Sequence, residues 1–273
     1  MVSFRQNYPF MLQGSRSMKL FFREWGGANE ETLVILHGLF GSSQNWIRVG
    51  KELAKKFHVY ALDLPNHGES PHVPEHTYES MMKAVVVWMG ETGLNSAHFI
   101  GHSMGGKVAM FLACRHPERV KKIVIVDVAP KTYPTVEPLE LKAMESLDLK
   151  KIKSREEVME DLQKFFQSEK LRKFILTNLV RDKNGKFSWK INLEAIKKYA
   201  DSMRQTMLKE KDRFLGEALF IHAKDVSYVL PEDYPKIKKH FPKALIVGIP
   251  NVGHNVHIDA PESFVKEVKN FVS

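Results

Sequence analysis

The sequence predicts an α/β protein with a mostly parallel central sheet, helices on both faces of that sheet, and a helical insertion that forms a cap. Two observations predict this class. Residues 19–128 alternate short, β-branched apolar runs with amphipathic stretches of helical length, which is the pattern of buried parallel strands and their crossover helices. The alternation resumes over residues 214–273, after a stretch with helical spacing and few strand-like runs.

Each predicted strand is a short apolar run, and each predicted helix is amphipathic. The predicted strands are Leu20–Trp25, Thr32–Leu36, Val59–Leu62, His98–Ile100, Ile123–Val126, Ala218–His222 and Ala244–Ile249. The predicted helices of the same regions are Ser43–Phe57, Tyr78–Glu91, Gly105–Arg115, Pro231–His240 and Pro261–Val272. We therefore predict an N-terminal tail at 1–18, a core at 19–134 and 214–273, and an all-helical cap at 135–213, in which Asn184–Gly185 marks a tight turn.

Composition excludes several classes of protein. The 273 residues are 43% hydrophobic and 27% charged, which rules out a wholly disordered or fibrous chain. The single cysteine, Cys114, excludes an intramolecular disulfide and a cysteine-based zinc site. The net charge is +9, but most of the excess lies in residues 142–213, interspersed with apolar residues, so no nucleic-acid partner is expected.

The sequence also gives expectations about membranes and location. Because no run of about 18 apolar residues occurs, we expect no integral membrane segment. The lone cysteine and the lack of a secretory signal pattern favour a cytoplasmic location. Residues 1–23 carry four basic residues and no acid, which makes the mitochondrial matrix the alternative. The oligomeric state is not predicted by any feature of the sequence.

One motif carries the chemistry of a nucleophile. The segment Gly101-His102-Ser103-Met104-Gly105 matches G-x-S-x-G, directly after a predicted strand and at the start of a predicted helix. A sharp strand-to-helix turn lifts the serine hydroxyl above the sheet, and glycines leave room for the neighbouring backbone. The sequence therefore predicts Ser103 as a catalytic nucleophile.

A serine nucleophile needs a base and an acid that orients the base. His254 follows a glycine-containing turn after a predicted strand, and His257 competes with it. Asp127 and Asp225 each follow a predicted strand, and either keeps the chain order Ser, acid, His, so position alone leaves both open. His254, His257 and Asp259 lack a second ligand group at metal-binding spacing, so no metal is expected.

Negative charge that develops on a substrate carbonyl oxygen needs preorganised donors. The amide of Met104, next to the predicted nucleophile, is one candidate. The segment His37-Gly38-Leu39 follows a predicted strand and supplies a second candidate, the amide of Leu39. We therefore predict these two amides as the oxyanion hole.

Together these motifs resemble the α/β-hydrolase superfamily, and within it the YbfF-type bacterial esterases and the abhydrolase-domain-containing-11 group. The matching segments are Leu36-His37-Gly38-Leu39-Phe40-Gly41-Ser42, Asp63-Leu64-Pro65-Asn66-His67-Gly68-Glu69-Ser70, Gly101-His102-Ser103-Met104-Gly105-Gly106-Lys107, Ile125-Val126-Asp127-Val128-Ala129-Pro130, Leu176-Thr177-Asn178-Leu179, Tyr228-Val229 and Gly253-His254-Asn255-Val256-His257. The resemblance implies an α/β-hydrolase fold with a cap. It also favours Asp127 as the acid, because many superfamily members carry a catalytic aspartate where this chain has Val226, whereas the subgroup uses the aspartate after the earlier strand.

The expected function is hydrolysis of short-to-medium acyl esters through a Ser-His-Asp triad and an acyl-enzyme, without a cofactor. Acyl transfer to an alcohol and acylglycerol lipolysis are alternatives on the same triad, and a non-catalytic binding protein is an alternative of another class. A dehalogenase or an epoxide hydrolase would need aspartate where Ser103 stands. The candidate pocket residues are Phe40, Phe165, Phe166, Phe174, Trp189 and Tyr228.

Overall fold

A computed structural model describes residues 19–27, 30–134 and 136–273. The predicted N-terminal tail, residues 1–18, lies outside the described residues. The described strands are β1 (Phe22–Trp25), β2 (Thr32–Leu36), β3 (His58–Leu62), β4 (Ala97–His102), β5 (Val120–Val126), β6 (Leu179–Arg181), β7 (Phe187–Trp189), β8 (Glu217–Ala223) and β9 (Ala244–Ile249). The described α-helices are α1 (Ile47–Leu53), α2 (Tyr78–Glu91), α3 (Met104–Arg115), α4 (Leu139–Ser146), α5 (Arg155–Gln163), α6 (Glu169–Leu176), α7 (Leu193–Tyr199), α8 (Tyr234–His240), α9 (Val256–Asp259) and α10 (Pro261–Val272).

Seven of the described strands form one sheet in the order β1-β3-β2-β4-β5-β8-β9. β1 pairs antiparallel with β3, and the other neighbours in this sheet are parallel. The prediction of a mostly parallel α/β sheet is therefore confirmed. Because the parallel strands end at a common edge, the loops that follow β2, β4, β5, β8 and β9 meet there, which is where ligands bind in open α/β sheets.

Side chains from both faces of the sheet enter separate apolar layers. Along β2, Val34 and Leu36 belong to the layer that includes α2 and α3, whereas Leu33 and Ile35 belong to the layer that includes α1 and α10. This alternation follows from the period of two in a strand. All four side chains are fully buried, as expected for a sheet that helices cover on both faces.

The elements between β5 and β8 form an insertion that packs around its own apolar cluster, and we call residues 139–204 of it the cap. The prediction that the insertion is all-helical is wrong in one segment, because β6 pairs antiparallel with β7. The tight turn predicted at Asn184–Gly185 joins these strands, and Gly185 takes a left-handed φ of 82° there. The outer boundaries at 135 and 213 stay a prediction.

Two predicted helices begin differently from the expectation. The stretch predicted as Ser43–Phe57 begins with a 3-10 turn, Ser43–Trp46, before α1, and α8 is preceded by the 3-10 turn Pro231–Asp233. A third 3-10 turn, Ser202–Arg204, ends the cap. No helix among the described residues has the length and apolarity that a membrane crossing requires.

Candidate active site

Ser103 lies in the sharp turn between β4 and α3. Its φ of 50° and ψ of −112° are strained values for a residue with a side chain, and such strain concentrates at functional sites. Two glycines make the turn feasible, because a Cβ on Gly101 would lie 2.4 Å from the carbonyl oxygen of Gly105. A Cβ on Gly105 would lie 2.3 Å from the carbonyl oxygen of Leu36. The predicted strand–turn–helix setting of the nucleophile is therefore present.

Asp127 lies directly after β5, with a left-handed φ of 50° and a fully buried side chain. Its Oδ2 accepts a hydrogen bond from Nδ1 of His254 at 2.7 Å. Its Oδ1 accepts from the amide of Ala223 at 3.1 Å and from the hydroxyl of Ser227 at 2.6 Å. A carboxylate that is held in this way keeps the imidazole oriented, and leaves Nε2 of the histidine for the serine.

Asp225, the alternative acid, has a different partner. Its Oδ2 accepts from the backbone amide of Asn251 at 2.9 Å, and its side chain is exposed. The structure therefore brings His254 to Asp127 and not to Asp225. Asn251 itself has a left-handed φ of 58°, so this contact helps to hold the turn that precedes His254.

His254 and its competitor His257 have different surroundings. The side chain of His254 is 30% exposed and lines the cavity described below. His257 is buried and stacks on Trp46, with ring centroids 3.9 Å apart. Burial lowers the pKa of His257 to about 3, so this ring is neutral at physiological pH. Next to the predicted nucleophile, the buried His102 donates from Nε2 to the carbonyl oxygen of His254 at 2.9 Å.

The two amides predicted as the oxyanion hole are unengaged. Within the described residues, the amides of Leu39 and Met104 donate to no acceptor. Leu39 follows β2, and Met104 is the first residue of α3, where the positive end of the helix dipole favours negative charge. Both residues line the same cavity as Ser103. Two free donors at the nucleophile are what a developing oxyanion needs.

A cavity of about 430 Å³ lies between the core and the cap and contains Ser103 and His254. Of the predicted pocket residues, Phe40, Phe174 and Tyr228 line it. The other three are placed elsewhere, because Phe166 is buried in the apolar cluster of the cap and Phe165 and Trp189 pack against that cluster. Further apolar lining comes from Val128, Leu139, Leu171, Ile196 and Met203.

Lys107 also lines the cavity, although it is not among the site residues predicted from the sequence. Its ammonium is buried and donates to the carbonyl oxygens of Met203, Arg204 and Gln205 at 3.4, 3.3 and 3.1 Å. It also lies 4.9 Å from the ring centroid of Tyr133. Burial lowers the pKa of Lys107 to about 7. The Gly105-Gly106-Lys107 sequence after the nucleophile was the available signal.

Fold and site together define the class of the protein. The chain belongs to the α/β-hydrolase superfamily: a family model described as "alpha/beta hydrolase fold" matches residues 31–261. It is 34% identical to the sn-1-specific diacylglycerol lipase ABHD11 of Mus musculus, over 91% of this chain and 83% of that protein. It is 28% identical to ethanol acetyltransferase 1 of Cyberlindnera fabianii, over 89% of this chain and 80% of that one. A solved structure named marine microorganism esterase matches with a TM-score of 0.90 and 37% identity, over 93% of this chain and 100% of that chain.

Proposed function

We propose that the protein is a serine carboxylic-ester hydrolase that acts on short-to-medium acyl esters through Ser103, His254 and Asp127. The observation that carries the proposal is the 2.7 Å hydrogen bond between Nδ1 of His254 and Asp127, with His254 and Ser103 in one cavity. Relatives named as an esterase and as a lipase support the reaction class.

The proposed reaction has two steps. Oγ of Ser103 attacks the ester carbonyl while Nε2 of His254 accepts the hydroxyl proton, and Asp127 stabilises the imidazolium. The oxyanion receives hydrogen bonds from the amides of Leu39 and Met104. His254 then protonates the leaving alcohol, and an acyl-enzyme remains. A water that gives its proton to His254 attacks this ester, and collapse of the second intermediate returns the proton to Ser103 and releases the acid.

The cavity supports an apolar acyl group as the recognised part of the substrate. Its cap side carries Leu171, Phe174, Ile196 and Met203, and its volume of about 430 Å³ lies in the range of small-molecule sites. Short-to-medium acyl esters fit this volume and lining. The cap would thus shape the acyl pocket, whereas the core supplies the reacting groups.

Acyl transfer to an alcohol and acylglycerol lipolysis are the alternatives on the same residues. Each is favoured by a relative, the ethanol acetyltransferase for the first and the diacylglycerol lipase for the second. The three reactions share the acyl-enzyme and differ in the acceptor or in the alcohol part of the substrate. A non-catalytic binding protein is the alternative of another class, in which Ser103 would not react.

The test is hydrolysis of p-nitrophenyl esters of graded chain length by the wild type and by Ser103→Ala, with ethanol added in a parallel series. We expect turnover by the wild type, highest for short or medium chains, and none by the variant at unchanged circular dichroism. Free acid as the main product in ethanol supports the hydrolase, whereas ethyl esters support the transferase. Turnover by Ser103→Ala near the wild-type rate would overturn the nucleophile assignment.

A cytoplasmic location is part of the proposal, with the mitochondrial matrix as the alternative. The single cysteine fits a reducing compartment, and the basic residues of the first 23 positions support the alternative. Fractionation of cells that express the chain with a C-terminal tag separates the two locations.

A further inference from the structure

Phe40, next to the predicted oxyanion donor Leu39, is held from two directions. It lies in the turn that the amide of Gly41 closes on the carbonyl oxygen of Gly38 at 3.0 Å, and its φ is 61°. Its amide donates to Nε2 of His67 at 3.3 Å, and its carbonyl oxygen accepts from Nδ2 of Asn178 at 2.8 Å. His67 belongs to the core and Asn178 to the cap, so the turn that contains Phe40 is hydrogen-bonded to both parts of the protein.

The hydrogen bond from the amide of Phe40 requires one particular tautomer of His67. Its Nδ1 lies 3.1 Å from the carbonyl oxygen of Pro65, which can only accept, so Nδ1 carries the proton. Nε2 therefore has the lone pair that accepts the amide of Phe40. Burial lowers the pKa of His67 well below its ordinary value, which keeps the ring neutral.

The hydrogen bond from Asn178 to Phe40 links the turn to the cap, because Asn178 is itself fixed within the cap. The backbone of Asn178 donates to the carbonyl oxygen of Ile175, and its own carbonyl oxygen accepts from the amide of Lys190 at 2.8 Å. The residue is buried, with 2% of its surface exposed. The backbone of Asn178 is thus fixed to α6 and to the segment after β7. Its side-chain amide extends from there to the turn that contains Phe40.

A second asparagine of the cap holds the loop that carries His67. The backbone amide of Asn192 donates to the carbonyl oxygen of Asn66 at 3.0 Å, and its Nδ2 donates to Oδ1 of Asn66 at 3.0 Å. Asn66 has a left-handed φ of 69° and is fully buried. The cap therefore reaches Phe40 directly through Asn178 and indirectly through the loop of His67.

We propose that Asn178 is a positioning residue for the oxyanion hole: it ties the cap to the turn that His67 holds from the core, and so fixes the amide of Leu39 for catalysis. The proposal rests on the proposed function. A residue with a side chain leaves the left-handed region when nothing holds it there, and the turn relaxes by flipping its central peptide. The contact from His67 holds the central Leu39–Phe40 peptide, and the contact from Asn178 holds the following Phe40–Gly41 peptide. Without the contact from Asn178, the Phe40–Gly41 peptide loses its fixed orientation, the left-handed φ of Phe40 is free to relax, and the neighbouring donor of Leu39 is displaced. The cap then assists the reaction itself as well as enclosing the substrate.

The test compares Asn178→Ala with Thr177→Val as the matched control. The hydroxyl of Thr177 donates to the carbonyl oxygen of Phe174 at 2.6 Å, so the control removes a neighbouring hydrogen bond that stays inside the cap. For each protein, kcat and KM are measured with a p-nitrophenyl ester, normalised to active sites by phosphonate titration. The Ki of a trifluoromethyl ketone reports the oxyanion hole, because its adduct places an oxyanion there.

For Asn178→Ala we expect kcat to fall about tenfold, KM to change less than about twofold, and Ki to rise by about the same factor as kcat falls. For Thr177→Val, we expect kcat, KM and Ki each to stay within about twofold of the wild-type values. Asn178→Ser, which keeps a shorter donor, should lie between the alanine variant and the wild type. It also provides a folded variant if the alanine substitution prevents folding.

If the folded Asn178 variants have the kcat and Ki of the wild type, the proposal is overturned. A change in KM alone, with kcat and Ki unchanged, would overturn it as well. These outcomes are distinguishable from a failure of the proposed function. If the wild type neither hydrolyses esters nor binds the ketone, the proposed function fails. If the wild type does both and Asn178→Ala and Asn178→Ser match it, the inference about Asn178 fails alone.

Discussion

Nδ1 of His254 donates to Oδ2 of Asp127 at 2.7 Å, although the two residues are 127 positions apart in the chain. The contact forms because the parallel strands β5 and β9 end at the same edge of the sheet, where the loops that carry Asp127 and His254 begin. The aspartate is fully buried and also accepts from Ala223 and Ser227. A base that is oriented by a buried, fully hydrogen-bonded carboxylate is suited to proton transfer at a serine.

The two candidate acids give a direct comparison. Asp127→Asn should lower kcat by about 10³-fold or more, because an amide favours the wrong tautomer of the base. Asp225→Asn removes a negative charge and keeps an oxygen that can accept from the amide of Asn251, so we expect a loss below about fivefold. Steady-state kinetics of the two variants on one ester decide between the acids. A larger loss for Asp225→Asn would show that the assignment is wrong.

Glycines of the nucleophile turn should tolerate no side chain. Gly101→Ala and Gly105→Ala each place a Cβ less than 2.5 Å from a backbone oxygen, so we expect at least about 2 kcal/mol lower unfolding free energy and loss of turnover. Gly90→Ala is the matched control, because it lies in α2 with no atom within 4 Å of the added Cβ. That control should raise the unfolding free energy by about 0.5–1 kcal/mol. Denaturant titration measures all three, and wild-type stability of Gly105→Ala would contradict the packing argument.

Substitution of two phenylalanines of the cap should have different effects, one on substrate selectivity and the other on the unfolding free energy. Phe174 lines the cavity, so Phe174→Ala should lower kcat/KM for hexanoate relative to acetate by roughly tenfold. Phe166 is buried in the cap cluster, so Phe166→Ala should lower the unfolding free energy by about 3–5 kcal/mol, with the chain-length preference unchanged in the folded fraction. The reverse result, with selectivity altered by Phe166→Ala and not by Phe174→Ala, would place the acyl pocket elsewhere.

The buried ammonium of Lys107 should make stability depend on pH. Its folded pKa is about 7, whereas the ordinary value is 10.5. Below about pH 7 the folded and unfolded states both hold the proton, so the full cost of burying the charge is present. Between these two values the unfolded state binds more protons, so the unfolding free energy of the wild type should rise with pH.

The measurement is the unfolding free energy of the wild type minus that of Lys107→Met at several pH values. We expect this difference to be constant below about pH 6 and to increase between about pH 7 and pH 10. Lys183→Met removes an exposed lysine and serves as the control for the loss of a lysine side chain at the surface. A flat profile for Lys107→Met would mean that the lysine keeps its proton throughout this range.

Local patterns in the sequence predict most of the core fold. Helix α2, predicted as Tyr78–Glu91, and helix α10, predicted as Pro261–Val272, have the predicted bounds, because their apolar residues repeat at helical spacing. For the β6–β7 hairpin, the sequence predicts the turn at Asn184–Gly185 but not the two strands. Its strands have three residues each, which is too short for a period of two to stand out against the helical spacing around them.

The sequence predicts the location of a candidate site residue where that residue follows a strand, and does not predict it where the location depends on distant contacts. Ser103, Asp127 and His254 each come after a strand end, so the sequence placed them at one edge. The contact between Asn178 and Phe40 spans 138 positions, and no local pattern indicates it. The same holds for Phe165, Phe166 and Trp189, because only the packing of the cap decides which aromatic side chains reach the cavity.

Covalent labelling of Ser103 tests the central claim most directly. The wild-type protein is incubated with a fluorophosphonate or with a p-nitrophenyl ester quenched in acid during turnover, and the adduct is mapped by peptide mass spectrometry. We expect one adduct, on the tryptic peptide that contains Ser103, and none in Ser103→Ala. An adduct on another residue, or turnover with no adduct at Ser103, would contradict the account.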